Sequence, residues 1–524
     1  MKILSPKKHG FKILLGSLLL LLTLEACEDH RTPPVTQELP DQLFYALTDN
    51  NIIYELNARN TNTPLRTLTI SEGLEANDIL IGIDFRPATN QLFAVSKNSR
   101  LYNINLNATV KPGLATPIGS MPFGPAITAS AIGFDFNPTV DRIRFTTNTG
   151  QNLRLHPETG ALVMADGNLN GVPSISVGAV AYTNSFSGAT TTALYDIDAS
   201  ADRLYLQSNP NGGGLQDVGS LGLDISDVGG FDISPIKTSG GKEYAIASVL
   251  VAGVWELDFI DLNSGKLQKL GQLPPGKIIG IAIPTPVAYA TTSSNKLLIF
   301  NPNSPNISVI EKNISGLPMS VTIEGIDFRP ADATLYALGS DSKLYTLNTL
   351  SGLATFKSEL NTMLSAGVDP SYGVDFNPFA DRLRVVSNSG QNLRIDVSTG
   401  AVTVDTPLSL AMTSKGVNGA AYTNSQIGLT AVTQTVLYDI DSQSNKLFKQ
   451  DPPNGGVLVE LGGLGISIDK SNGFDIGGAT MTGYGLFTVG GATGLYKLNL
   501  STGAASKSSN FPSDIKGLAL GFNL

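Results

Sequence analysis

The feature that most restricts the fold is a repeat, because the chain contains two copies of one long sequence. Residues 133–154 read GFDFNPTVDRIRFTTNTGQNLR and residues 373–394 read GVDFNPFADRLRVVSNSGQNLR, with 14 of 22 positions identical. Four shorter motifs recur at the same spacing of 240 to 243 residues: GIDFRP, AYTNS, LYDID and GFDI. We therefore expect two homologous domains, residues 41–283 and 287–524, joined around Pro284-Thr285-Pro286.

Within each half, a shorter unit of about 45–50 residues repeats, a length typical of propeller blades and other arrays. Each unit has four short runs of β-branched and aromatic residues, separated by turn residues such as Asn-Pro, Asn-Gly-Gly and Thr-Gly. The 55 Gly and 29 Pro of the 524 residues also indicate many turns. We expect an all-β protein, a β-propeller of four-stranded blades.

The ends of each half determine the number of blades. The first half opens with only three strands, LFYALT, IIYELN and LRTLTIS, and ends with a single strand, IIGIAI (278–283). The second half likewise opens with VAYATTS, KLLIFN and ISVIEK and ends with GLALGF (517–522). Placing each terminal strand inside the opening blade closes a ring. This predicts two tandem five-bladed propellers, with one ten-bladed ring as the alternative.

The N-terminus has the pattern of a targeting segment. Four lysines precede an apolar run from Ile13 to Leu24, which is short for a membrane span and ends in Leu-Glu-Ala-Cys. Cys27, the only cysteine, then resembles the lipidated cysteine of a bacterial lipoprotein, although Glu25 departs from the usual small or apolar residue. We expect a signal peptide (1–26), lipidation at Cys27 and a tether (27–40). An ordinary secretory signal with a leftover thiol is the alternative.

The charge of the chain argues against a nucleic-acid partner. Removal of residues 1–26 would take away four lysines and one glutamate, so the formal charge would change from −9 to −12. Phosphate contacts require clustered cations, and an acidic exported chain does not offer them.

The duplicated GFDFNPxxDRxR…NxGQNLR core, with GIDFRP before it and AYTNS and LYDID after it, resembles the bacterial domain of unknown function 4394 family. Two copies would cover nearly all of the mature chain. The resemblance implies exported bacterial proteins and brings no established activity with it.

Several kinds of catalytic site are excluded by the residues themselves. His156 is the only histidine of the predicted globular part, and its counterpart in the second half is Asp396. A Ser-His-Asp triad or a histidine metal site common to both halves is therefore excluded. The sequence contains no P-loop, and no cysteine follows Cys27.

Aspartates on the first strand of several blades could meet in the central channels. Period-2 alternation places each on the face opposite its apolar neighbours, and first strands line the channel of a propeller. These residues are Asp84, Asp135, Asp232, Asp327, Asp375 and Asp475. They could accept backbone hydrogen bonds within their blades, could act as catalytic carboxylates, or could hold a Ca²⁺-type cation. Our main prediction is that the protein has no cofactor, and the Ca²⁺-type cation is the alternative.

The repeated hairpin carries a second set of polar residues. Arg144 and Arg384 stand where Phe93 and Tyr336 stand in the preceding units, so we expect buried guanidinium groups paired with Asp135 and Asp375. The other candidate residues are Asn148, Gln151, Asn152 and Arg154, with their copies Asn388, Gln391, Asn392 and Arg394. Planar amides and a guanidinium at period-2 spacing suit hydroxyls or carboxylates of a sugar or acidic ligand. A purely structural network is the alternative.

Together these patterns predict an exported lipoprotein of the outer membrane or cell surface. Its expected role is a non-catalytic ligand-binding or scaffold module that contacts the membrane through its lipid and could bind a glycan or envelope polymer. The alternative is a hydrolase or lyase that acts on polysaccharides through the inner-strand carboxylates, by analogy with other propellers.

Overall fold

The computed structural model describes residues 41–237, 243–304, 308–365, 369–409, 416–429, 434–512 and 514–524. The predicted signal peptide, the lipidation site Cys27 and the tether all lie outside these residues. Within the described residues, no helix has the length and hydropathy needed to cross a bilayer.

The first half forms twenty strands, which pair into five antiparallel four-stranded sheets. The strands are β1 (Leu43–Thr48), β2 (Ile52–Asn57), β3 (Arg66–Thr69), β4 (Leu80–Arg86), β5 (Gln91–Ser96), β6 (Leu101–Ile104), β7 (Ala115–Ile118), β8 (Ile132–Asn137), β9 (Arg142–Thr147), β10 (Asn152–Leu155), β11 (Leu162–Ala165), β12 (Val177–Tyr182), β13 (Leu194–Asp198), β14 (Arg203–Asn209), β15 (Gly214–Ser220), β16 (Asp227–Lys237), β17 (Glu243–Val251), β18 (Val254–Ile260), β19 (Leu267–Gln272) and β20 (Ile278–Ala282). Blade A has the order β20-β1-β2-β3, and blades B to E each contain four consecutive strands from β4 onwards.

The second half repeats this arrangement with twenty further strands. They are β21 (Ala288–Thr292), β22 (Lys296–Phe300), β23 (Ile310–Asn313), β24 (Ile323–Arg329), β25 (Thr334–Gly339), β26 (Lys343–Leu347), β27 (Ala354–Glu359), β28 (Tyr372–Asn377), β29 (Arg382–Ser387), β30 (Asn392–Asp396), β31 (Ala401–Val404), β32 (Val417–Tyr422), β33 (Leu437–Asp441), β34 (Lys446–Gln450), β35 (Leu458–Gly463), β36 (Lys470–Ile476), β37 (Gly483–Val489), β38 (Ala492–Leu498), β39 (Ala505–Asn510) and β40 (Ile515–Leu520). Blade A′ is β40-β21-β22-β23, and blades B′ to E′ follow from β24.

The innermost strands close two separate rings. Strands β4, β8, β12, β16 and β20 pack against one another in sequence, with β20 returning to β4, and β24, β28, β32, β36 and β40 do the same. Each ring is sealed by its own last strand, because β20 pairs with β1 and β40 pairs with β21. The prediction of two five-bladed propellers is confirmed, and the ten-bladed alternative is wrong.

The turn in the repeated hairpin explains part of its sequence. Asn137 accepts a hydrogen bond of 3.0 Å from the amide of Thr139 through its side-chain oxygen, and Pro138 restricts φ at the start of the turn. Asp141 then adopts a left-handed φ of 50° before β9 begins. Asp381 repeats this conformation in the second ring, so the NPxxDR motif encodes a hairpin turn.

Glycines on the innermost strands allow neighbouring blades to approach closely. A Cβ atom added to Gly373 would lie 2.5 Å from the backbone nitrogen of Ala420 on the next inner strand, and Gly230 is equally confined by Ile281. Only glycine fits such a contact. The Gly-apolar-Asp pattern therefore combines a close approach of two strands with a carboxylate that points into the channel.

Apolar side chains between blades make the core, as the propeller architecture requires. Phe93 of blade B and Phe136 of blade C stack edge to face at 5.0 Å, and Tyr336 and Phe376 repeat this contact at 5.3 Å in the second ring. Such aromatic pairs add about 0.5–1.5 kcal/mol beyond the burial of their surface.

The two rings also contact each other through hydrogen bonds. The amide of Phe522 donates to the carbonyl of Thr89 at 2.9 Å, and the side-chain nitrogen of Asn107 donates to the carbonyl of Gly478 at 2.7 Å. Asn107 is fully buried, so the described part of the chain forms one body rather than two loosely tethered rings.

Candidate functional site

Three aspartates meet at the centre of each ring. Asp84, Asp135 and Asp232 lie on the innermost strands of blades B, C and E, and the second ring repeats them as Asp327, Asp375 and Asp475. In each triad, one oxygen from every carboxylate lies within 4.8 Å of the others, and all six residues are buried. The sequence pattern placed these side chains in the channel, and the structure brings them together there.

The main partners of these carboxylates are backbone amides, many of them from the following blade. Asp84 accepts 2.7 Å hydrogen bonds from its neighbour Phe85 and from Phe136 of blade C. Asp135 accepts one from Tyr182 of blade D at 3.1 Å. Asp232 accepts one from Ile233 at 2.6 Å and one from Ile283, directly after β20, at 2.5 Å. The second ring repeats these bonds. Each aspartate therefore joins its blade to the next.

Burial and mutual repulsion favour the protonated forms of the triads. Burial raises the pKa of Asp84 well above 3.8, and the charge of Asp232 raises it further against the effect of the two amides. The pKa of Asp135 is raised by burial and by both neighbouring carboxylates. Burial raises the pKa of Asp232, and of Asp475 in the second ring, to about 7. Each triad therefore retains protons near neutral pH.

The triads are the groups of carboxylates in the described residues that could hold a metal ion. A Ca²⁺ ion takes about six to eight oxygen ligands. Five of the six carboxylate oxygens in the first ring already accept main-chain amides, and only the second oxygen of Asp135 has no donor among the described residues. A cation would therefore compete with the hydrogen bonds that join the blades.

The same hydrogen bonds weigh against the hydrolase or lyase hypothesis. A glycosidase needs two carboxyl groups that face a substrate in an accessible cleft. The triad oxygens are close enough, but the residues are buried and every one is capped by a backbone amide. The inner-strand carboxylates thus give this hypothesis no structural support.

Arg144 is buried as predicted, but the prediction that it pairs with Asp135 is wrong. Its Nη1 donates to Asn152 and to Asp166, both at 2.7 Å, and its Nη2 donates to Asn211 of blade D at 3.0 Å. Asp135 is opposite Arg144 in the strand register, yet its carboxylate turns to the amide of Tyr182. Arg384 likewise pairs with Asp405 at 2.7 Å rather than with Asp375.

Arg154 shares the same carboxylate with Arg144. Its Nε and Nη2 donate to the two oxygens of Asp166 at 2.7 and 2.9 Å, while the side-chain nitrogen of Asn152 donates to the carbonyl of Pro210 in blade D. We call Arg144, Asn152, Arg154, Asp166 and Asn211 the arginine clamp. The second ring has the same clamp, formed by Arg384, Asn392, Arg394, Asp405 and Asn454.

The clamp carries two positive charges for each carboxylate. Burial raises the pKa of Asp405, but hydrogen bonds from Arg394 and Arg384 outweigh this effect and hold it below 3.8. The clamp of the second ring therefore keeps a net positive charge. The side chain of Arg394 is 34% exposed, and that of Arg154 is 28% exposed, so each cluster reaches the surface through one arginine.

The remaining predicted residues hold loops. Asn148 donates to the hydroxyl of Ser130 at 2.9 Å, and Asn388 donates to the carbonyl of Asp369 at 3.1 Å. Gln391 accepts from the amide of Ser365 and donates to the carbonyl of Met363, both at 3.0 Å. Its copy Gln151 has a buried side-chain oxygen without a partner in the described residues.

A buried aspartate beside each clamp was not singled out from the sequence. Asp196 and Asp439, the first aspartates of the two LYDID motifs, are fully buried, and neither has a hydrogen-bond donor among the described residues. Burial raises the pKa of Asp439 to about 8 although Arg384 lowers it, and Asp196 shifts in the same direction. The recurrence of the LYDID motif in both halves was the sequence signal that could have identified these two aspartates.

An arginine–aspartate ion pair that was not predicted from the sequence also joins blades B and C. The Nε of Arg86, in the GIDFRP motif, donates to Asp141, in the following NPxxDR motif, at 2.9 Å. Arg329 and Asp381 repeat this contact at 2.8 Å. The two motifs therefore bind each other in both halves.

Comparison with known proteins identifies a family and no activity. The family profile described as "Domain of unknown function (DUF4394)" matches residues 52–282 and 296–519, in agreement with the predicted tandem copies. No functionally curated protein matches the chain. Among solved structures, selenomethionine-substituted virginiamycin B lyase from Staphylococcus aureus matches with 11% identity over 68% of this chain and 91% of that chain. The TM-score of 0.23 is too low for this likeness to carry any argument.

Proposed function

The chain belongs to the DUF4394 family, and we propose that it is an exported, lipid-anchored protein of the bacterial cell envelope that binds an acidic polymer without catalysis. The observation that carries the proposal is the arginine clamp, in which two guanidinium groups share one carboxylate and one arginine reaches the surface in each ring.

The partly exposed arginines, Arg154 and Arg394, offer the recognition chemistry for such a ligand. Only Nε and Nη2 of Arg154 are engaged with Asp166, so Nη1 has no acceptor among the described residues. Arg394 leaves the same atom available beside Asp405. Guanidinium groups favour carboxylates and sulfates, so an acidic glycan or similar envelope polymer fits both positions.

Retention on a glycan array that carries uronic acids, sulfated sugars and neutral sugars tests the binding. The full chain should be retained by the acidic glycans, and the double variant Arg154→Gln/Arg394→Gln should lose most of that retention. Arg203→Gln is the matched control, because Arg203 is an exposed arginine paired with a single aspartate, Asp217. Equal retention of the double variant and the control would contradict the proposal.

The anchor rests on the sequence around Cys27. One acyl chain gives only marginal membrane binding, whereas a lipidated N-terminal cysteine with several chains would be held firmly. Cells supplied with labelled palmitate should label the full chain, and Cys27→Ser should abolish the label and release the protein from membranes. Thr32→Ser, a change in the predicted tether, should leave the label intact. Label that persists in Cys27→Ser would contradict the anchor.

A further inference from the structure

The outermost strand of each blade has a free edge, and such an edge can pair with another chain unless a charge or a proline protects it. In the described chain the outermost strands are β3, β7, β11, β15, β19, β23, β27, β31, β35 and β39. Seven of them contain a charged residue, and β7 contains Pro117. Strands β11 (Leu-Val-Met-Ala) and β31 (Ala-Val-Thr-Val), in blades C and C′, have neither.

Of these two edges, the edge of β11 is the open one. In β31 the amide of Val402 donates to the side chain of Asn361 at 3.0 Å, so a loop already covers part of that edge. Strand β11 pairs with β10, and its main chain has no other hydrogen bond among the described residues. The side chains of Leu162, Val163 and Met164 are 36%, 41% and 50% exposed.

Strand β11 contains a bulge, but a bulge alone is not how the other blades protect their edges. Val163 has no partner on β10, since the register shifts there between Arg154 and Leu155. Bulges twist an edge and weaken its pairing with another chain. Strands β15, β19, β27, β35 and β39 have the same kind of bulge, and each also carries a charge. The charge is therefore the protection that β11 lacks.

One cation lies beside the open edge. Arg154 is opposite Met164 in the sheet, and its guanidinium group reaches across to Asp166, which follows the last residue of β11. Its Nη1 has no acceptor among the described residues, and its side chain is 28% exposed. An acidic residue on an added strand would be attracted to this nitrogen. A second copy of the chain, paired through the same edge, would instead bring a second Arg154 there.

We propose that the edge of β11 binds an extended segment of another polypeptide as a fifth strand of blade C. The segment has β-branched or apolar residues against the exposed side chains of β11 and an acidic residue at Arg154. In this mode of recognition, main-chain hydrogen bonds supply the affinity and alternate side chains supply the specificity. The site shares Arg154 with the first arginine clamp, but it goes beyond glycan binding and does not depend on it.

The probe is a labelled, capped six-residue peptide that alternates threonine and valine, with one central threonine replaced by glutamate. Fluorescence polarisation measures its binding to the full chain. An analogue that is N-methylated at every peptide nitrogen keeps the side chains but cannot donate main-chain hydrogen bonds, so it should not bind. An analogue with glutamine in place of glutamate should bind roughly two- to five-fold more weakly, because it loses only one partly exposed ion pair.

Variants of the chain locate the bound probe. Val163→Pro places a ring without an N–H group at the bulge of β11, where proline is tolerated, and should abolish binding. Ser508→Pro is the matched control, because Ser508 is the bulge residue of β39, an outermost strand that carries Lys507, and it should bind the probe like the unaltered chain. Arg154→Gln should bind the glutamate and glutamine peptides equally, which locates the probe even where Val163→Pro does not fold.

The proposal is overturned if the unaltered chain shows no saturable binding of the probe, or if the N-methylated analogue binds equally well. Equal binding by folded Val163→Pro and Ser508→Pro also overturns it, as does an Arg154→Gln variant that still prefers the glutamate peptide as strongly as the unaltered chain. A dimer of the unaltered chain in sedimentation velocity that Val163→Pro abolishes would mean that a second copy occupies the edge. None of these outcomes depends on the palmitate label or on glycan retention.

Discussion

The carboxylate of Asp84 accepts a 2.7 Å hydrogen bond from the amide of Phe136, a residue on the innermost strand of the next blade. Asp475 accepts an equivalent bond of 2.7 Å from Leu520 on β40, the strand that closes the second ring. A buried charge or dipole without a partner is costly, so these contacts set the spacing of the blades as well as satisfying the carboxylates. The aspartates therefore connect neighbouring blades of the rings through hydrogen bonds.

Substitution by asparagine should distinguish two kinds of aspartate in one triad. Both oxygens of Asp84 accept amides, and asparagine offers only one acceptor, so Asp84→Asn should lower the free energy of unfolding by about 1–3 kcal/mol. Asp135 accepts a single amide, and in Asp135→Asn the new NH₂ group can donate to the neighbouring carboxylates. That variant should be neutral or stabilising at pH 8. Urea denaturation checks both, and equal destabilisation by the two variants would contradict the argument.

Stability should decrease as the pH rises from about 5 to about 8. Burial raises the pKa of Asp232 and Asp475 from 3.8 to about 7, so the folded state binds more protons than the unfolded state between these values. Their contribution is fully present below about pH 4 and is lost as the pH rises through 7. His156 acts in the opposite direction because burial lowers its pKa, but it is a single half-buried group.

The urea midpoint at pH 5 and at pH 8 measures this effect, and the pH 5 midpoint should be the higher one. The double variant Asp135→Asn/Asp375→Asn removes one carboxylate from each triad, so it should reduce the difference between the two midpoints. A midpoint that is the same or higher at pH 8 in the unaltered chain would show that the triads are ionised without penalty.

The architecture could be predicted from the sequence because the same pattern of strands repeats in both halves. The three-strand opening and single-strand ending of each half predicted the closing strands, which the pairing of Ala46 with Ile281 and of Ala290 with Leu518 confirms. The convergence of Asp84, Asp135 and Asp232 also followed from the sequence, since alternation defines the face of a strand and the ring defines where that face points.

The partners of the arginines could not be derived in the same way. Register within a sheet suggested Asp135 for Arg144, but the amide that attracts Asp135 belongs to Tyr182 of another blade. The true partner, Asp166, follows the outermost strand and reaches back to Arg144 from a loop.

Loss of a clamp arginine should be among the most damaging single changes. Arg144→Leu would leave Asp166 nearly buried and without one of its two arginines, and breaking a buried pair typically costs about 3–5 kcal/mol. Arg384→Leu should have a similar effect in the second ring. Arg203→Leu disrupts an exposed pair with Asp217 and should cost less than about 1 kcal/mol. Denaturant unfolding of the three variants makes the comparison, and similar values for Arg144→Leu and Arg203→Leu would refute the structural role of the clamp.

A methyl group on an innermost strand should be tolerated far less well than one on an outer strand. Gly373→Ala would place Cβ 2.5 Å from the backbone nitrogen of Ala420, so two inner strands would have to separate, at a cost of about 1–3 kcal/mol. Gly214→Ala, at the start of β15, meets its nearest neighbour, Asn209, at 3.7 Å, which is an ordinary contact. That variant should change the free energy of unfolding by less than about 1 kcal/mol. Thermal unfolding followed by circular dichroism compares the two, and a Gly373→Ala variant as stable as Gly214→Ala would mean that the inner strands can move apart without loss.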